Sequence, residues 1–91
     1  MFRVPSSDGV DVAVHEFGGA ADAPPLLLSH ATGFHAHCFE PVAARLATRF
    51  RVDALDYRGH GLTPAPDGWQ VDWSRFGDDA LAVARHIAPD G

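Results

Sequence analysis

The chain has 91 residues, 46% apolar and 21% charged, a composition that suits one small folded domain and excludes a disordered segment. Its net charge of −5, with no lysine and with arginines scattered singly, offers no basic face for a phosphate backbone, so nucleic acid is excluded as the main partner. The one cysteine, Cys38, excludes an internal disulfide framework, and no apolar run approaches the ~18 residues of a membrane span; with no secretory h-region at the start, a soluble cytoplasmic chain without a membrane partner is expected.

The first elements are strands. "FRV" (2–4) and "VDVAVHEF" (10–17) flank a Ser-Asp-Gly connection, and Val10, Val12 and Val14 alternate with polar or small residues. That period of two predicts a hairpin with one wet face. "GGAADAPP" (18–25) is a loop by composition. "LLLSH" (26–30) does not alternate, which predicts a strand buried on both faces.

The period then changes. Phe39, Val42, Ala43, Leu46, Ala47 and Phe50 fall on one helical face, with Pro41 near the helix start where proline is tolerated. "FRVDALDYRGHG" (50–61) predicts a second buried strand carrying Val52, Ala54 and Leu55, closed by a glycine-rich turn. After a proline-bearing loop, Ser74 to Ala88 predicts a helix with Phe76, Ala80, Val83, Ala84 and Ile87 on its inner face and Asp78 and Asp79 toward its N-terminal end. The expected order is β-β-β-α-β-loop-α in a single domain over residues 1–91. Its strand-helix-strand unit is long enough for a parallel crossover.

"HATGF" (30–34) and "DYRGHG" (56–61), on two successive predicted strands, resemble the N-terminal third of the α/β-hydrolase superfamily. The resemblance implies the N-terminal part of an α/β-hydrolase sheet: two antiparallel strands, a parallel β-α-β unit and a following helix, left incomplete. It implies that the main-chain N–H of Thr32 is one donor of an oxyanion hole, that His30 and Gly33 support the turn, and that Phe34 faces the pocket mouth. Ala31 stands where most members have glycine. Asp56, Arg58, Gly59 and Gly61 are implied to be scaffolding, with Asp56 and Arg58 suited to pair across the strand exit. The implied substrate of a full-length parent is a small ester-like molecule, and no cofactor is called for.

The catalytic partners are missing. None of Ser6, Ser7, Ser29 and Ser74 lies in a Gly-x-Ser-x-Gly elbow, so no catalytic residue is expected in this chain and the 91 residues alone are expected to be inactive. Cys38 lies on the apolar helix side and reads as a small buried residue. His30, His35, His37 and Cys38 form a dense local group without a matching ligand cluster, so no metal site is expected. Two accounts stand: a shortened serine-type hydrolase, since such sheets need about 200 residues to close, or a non-catalytic half-sheet that self-associates through its open edge. For the second, "FRVDALDY" is the expected edge, with only modest protection from Arg51, Asp53 and Asp56.

Overall fold

A computed structural model describes residues 1–90. Strands β1 (Phe2–Pro5), β2 (Asp11–Gly18), β3 (Pro25–Ser29) and β4 (Arg51–Leu55) form one sheet in the order β1-β2-β4-β3. β1 and β2 are the expected antiparallel hairpin, turned through a short 3-10 segment at Ser7–Gly9. β2 also runs antiparallel to β4, pairing Val14 with Leu55 and His15 with Ala54. β3 and β4 are parallel, as the strand-helix-strand pattern requires.

Two helices lie between and after these strands. α1 (Glu40–Leu46) packs against β2 and β4, and α2 (Trp73–Ile87) packs against β1, β2 and β3. The core beneath α2 joins Val4, Val10, Val12, Val14, Leu55 and Val83, with Phe2, Leu27 and Ile87 at its margin. Alternation along β4 sends Leu55 toward this core, while Ala54 faces the other side. α2 starts at an Asp72 N-cap whose carboxylate accepts the Ser74 N–H at 3.0 Å. Its expected inner face is at least half-buried throughout, with Phe76 and Val83 inside.

Five expectations are corrected. β2 has no wet face along its centre, where Ala13 and His15 are buried along with Val12 and Val14. β3 is an outer strand, and its three leucines are only half-buried. β4 is flanked on both sides, so the open parallel edge belongs to β3 and not to "FRVDALDY". An unbroken apolar run marks burial from side chains above and below; it carries no information on whether a neighbouring strand is present. The 39–50 helix is shorter than its pattern. A 3-10 turn (Ala36–Phe39) leads into α1, which stops at Leu46, and of the predicted stripe only Ala43 is fully buried while Val42 is exposed. Cys38, on that turn, is exposed.

Candidate active site

The turn after β3 and the turn after β4 meet at one end of the sheet. Between them and the start of α2 lies an open cavity of about 430 Å³ lined by Ser29, His30, Thr32, Tyr57, Trp73 and Phe76, among others. This lies at the carboxyl ends of the two parallel strands, where α/β sheets bind their ligands. Its walls are mostly apolar: Phe76 meets Tyr57, His60, Trp69 and Trp73 edge to face.

"HATGF" builds the upper lip. Gly33 adopts φ of +91°, a left-handed conformation that a side chain resists, and the Phe34 N–H closes the turn on the Ala31 carbonyl at 3.0 Å. The N–H of Thr32 makes no hydrogen bond within the described residues, although Thr32 lines the cavity. His30 is buried and its ring is fully engaged. Nδ1–H donates to the Ala31 carbonyl at 2.8 Å, and Nε2 accepts the Tyr57 N–H at 3.0 Å. Burial, the largest influence, holds its pKa below the ordinary imidazole value. Phe34 is exposed and does not line the cavity.

"DYRGHG" builds the lower lip, but not through an Asp56–Arg58 pair. Both lie past the end of β4, where strand alternation no longer holds, and each finds its partners elsewhere. Asp56, 1% exposed, accepts the Ala36 N–H at 2.7 Å, the Leu62 N–H at 3.0 Å and His15 Nε2–H at 2.7 Å. Burial alone would raise its pKa; the two backbone donors and His15 outweigh it, and the carboxyl sits below its ordinary value. Arg58, fully buried, pairs with Asp79 of α2 at 2.8 Å and with Asp8 at 2.9 Å, and also donates to Ser7 Oγ. Hydrogen bonding to Asp79, more than any other influence, raises its pKa. Gly61 has φ of +49°, and a Cβ there would overlap the Asp56 carboxylate, so glycine is required.

Sequence reasoning missed His15, His60 and Asp79 as members of this framework. His15 and Asp79 meet their partners 41 and 21 residues away, which no local pattern signals. Of the His-x-His-Cys group, His37 Nδ1 pairs with Glu40 at 2.6 Å, and among the described residues no cluster of three or more His, Cys, Asp or Glu is placed to hold a metal.

The sheet order, the two motif turns and the cavity between them define the N-terminal part of an α/β-hydrolase. A hydrolase from Pseudomonas aeruginosa PA01 superposes with a TM-score of 0.82 at 33% identity, over 93% of this chain and 31% of that one. The sequence pattern of the serine aminopeptidase S33 family matches residues 23–91, and the chain belongs to that family of α/β-hydrolases. It is 41% identical over 66 residues to a pimeloyl-[acyl-carrier protein] methyl ester esterase of Chromobacterium violaceum, and 35% identical over 66 residues to a 2-(acetamidomethylene)succinate hydrolase of Mesorhizobium japonicum. Those stretches are 70% and 71% of this chain. In both cases the chain spans 23% of the relative's length.

Proposed function

We propose that this chain supplies the oxyanion side of a serine-hydrolase site for small carboxylic esters. In this reading the Thr32 N–H is one donor to the oxygen of the tetrahedral intermediate. The nucleophile, its acid and base, and the second donor come from a Gly-x-Ser-x-Gly elbow and later segments that these 91 residues do not contain. The observation that carries the reading is Thr32: its N–H has no partner among the described residues, and it lines an apolar-walled cavity that could hold an acyl group. His30 and Gly33 fix the shape of the turn, and Asp56, Arg58, Gly59 and Gly61 the lip opposite. A methyl ester esterase among the relatives supports the ester class.

The test replaces the superposable third of the Pseudomonas aeruginosa hydrolase with residues 1–90. The chimera is expected to hydrolyse p-nitrophenyl esters. Thr32→Pro, which deletes the N–H, lowers kcat by about 10²–10³-fold, while Thr32→Gly, which keeps it, leaves kcat nearly unchanged. Equal activity in the two variants sinks the assignment. The 91-residue chain alone shows no turnover above a denatured control; saturable hydrolysis that survives repurification contradicts this.

A second reading, a non-catalytic module that adds a strand from another chain, is supported by the outer edge of β3, which among the described residues pairs only with β4. Sedimentation that stays monomeric at high concentration removes its self-associating form.

A further inference from the structure

The two lips are tied to each other by a pair of reciprocal bonds. His30, on the turn after β3, accepts the Tyr57 N–H of the turn after β4 at 3.0 Å. His60, on the turn after β4, accepts the Gly33 N–H of the turn after β3, also at 3.0 Å. Each ring uses Nε2 as the acceptor. Each ring's other nitrogen is 3.0 Å or less from a carbonyl oxygen of its own turn: Ala31 for His30 and Arg58 for His60. A carbonyl only accepts, so Nδ1 must carry the proton in both rings and Nε2 must be bare. The rings lie 5.0 Å apart.

We propose that His60 is a positioning residue for the oxyanion turn, forming with His30 a two-way clamp that holds Thr32 in place only while both imidazoles are neutral. Protonation at Nε2 turns an acceptor into a donor facing a backbone N–H, so the bond to Gly33 or Tyr57 is lost outright. The Gly33 N–H closes the peptide after Thr32, and the Ala31 carbonyl held by His30 belongs to the peptide that carries the Thr32 N–H, so the two rings fix the peptides on either side of Thr32. Two imidazolium rings 5.0 Å apart would also repel.

The groups around the pair bias it unevenly. Burial, the largest influence on His30, disfavours its charge, as do His60 and His35; the Ala31 carbonyl and Asp56 favour it, and the sum disfavours it. Tyr57 meets His30 edge-on. The exit of β4 also brings Arg58, which is occupied by Asp79 and Asp8, and α2 meets His60 through Phe76. The consequence for catalysis rests on the proposed role of Thr32. The clamp itself does not.

Nitrogen-15 NMR of the 91-residue chain tests the clamp without any turnover, so it can fail while the hydrolase reading survives, and the reverse. At neutral pH both rings are expected to show a protonated Nδ1 and a bare Nε2. On acidification the Gly33 amide shift should follow the His60 ring and the Tyr57 amide shift the His30 ring. His60→Gln, whose Oε1 can accept without titrating, should keep the Gly33 amide near its wild-type position and abolish its pH dependence. His60→Phe should lower the protection of that amide from exchange about tenfold, the scale of one lost hydrogen bond. The proposal is overturned by a protonated Nε2 on either ring at neutral pH. It is equally overturned by a Gly33 amide that titrates unchanged in either variant. The wild-type spectra decide the matter alone where a variant does not fold.

Discussion

Arg58 and Asp79 form an ion pair 2.8 Å long, both side chains fully buried, across 21 residues of chain. The Asp79 carboxylate also accepts the Arg58 backbone N–H at 3.0 Å and Ser6 Oγ–H at 2.7 Å. One side chain of α2 thus anchors the exit of β4 and the hairpin turn. Removing Arg58 strands the Asp79 carboxylate where water cannot reach it, at a cost of about 3–5 kcal/mol, whereas removing Asp79 leaves Arg58 with Asp8 as its counter-ion.

Arg58→Met should therefore lower stability by about that amount, a large share of what a domain this small possesses, and Asp79→Ala by less because Asp8 remains. The double variant Arg58→Met/Asp79→Leu leaves no stranded ion at that pair, and its loss should fall well short of the sum. Urea unfolding of the four proteins measures this. Strict additivity would show that the pair is not energetically coupled.

Asp56 sets a second limit, on the acid side. Its Oδ1 accepts from Ala36, and its Oδ2 from His15 and Leu62. An Asn amide can match one side only; its NH₂ would point donors at donors on the other. Asp56→Asn should cost about 1–3 kcal/mol at neutral pH. Its pKa is lower folded than unfolded, so the unfolded chain takes up the proton first as pH falls. The stability it contributes is complete above the ordinary carboxylate value near 4 and is lost as pH drops through the folded value. Urea midpoints measured from pH 5 to pH 2 should fall in the wild type, and Asp56→Asn should lack that part of the decline. Gly61→Ala forces a Cβ into the same carboxylate and should destabilise at every pH.

The element order and both motif turns were legible in the sequence because each rests on a local signal: alternation in β2, a 3.6 period in α2, and glycines at the strand exits. What tied the elements together was not. Asp79 reads as a favourable charge near a helix start, yet it faces inward because Arg58 waits beneath it. Asp56 and Arg58, two positions apart and opposite in charge, invite pairing. Their spacing on an extended segment should have placed them near one another, but their networks draw them to opposite sides, toward His15 and toward α2. His60 reads as a filler between two glycines until the fold sets it against Gly33.

Cys38 separates the sequence expectation from the structure in one measurement. On an apolar helix face its thiol would be shielded; on the 3-10 turn before α1 it is exposed. A thiol reagent such as Ellman's should titrate one equivalent in buffer without denaturant. Reaction only after unfolding would restore the buried position.

Asp53 behaves oppositely to Asp56, though it lies three residues earlier in the same chain segment. It sits mid-strand in β4, 5% exposed, between Glu16 of β2 and Leu27 of β3 in the sheet register. Its side chain takes no hydrogen bond among the described residues; burial first, then the nearby Glu16, raises its pKa. The unfolded chain therefore releases this proton at lower pH than the folded one does. The sign follows: any stability tied to the neutral form is complete below the ordinary carboxylate value near 4 and is lost as pH rises through the folded value. At neutral pH the side chain holds a buried carboxylate without a donor, in a strand where β-branched apolar residues are favoured. Asp53→Val should stabilise the protein by about 1–2 kcal/mol at pH 7, and by less at pH 4, closer to where the wild-type carboxyl takes up its proton. Thermal melts at the two pH values give the difference directly. A variant that is less stable than wild type at pH 7 would mean that Asp53 has a compensating partner in solution.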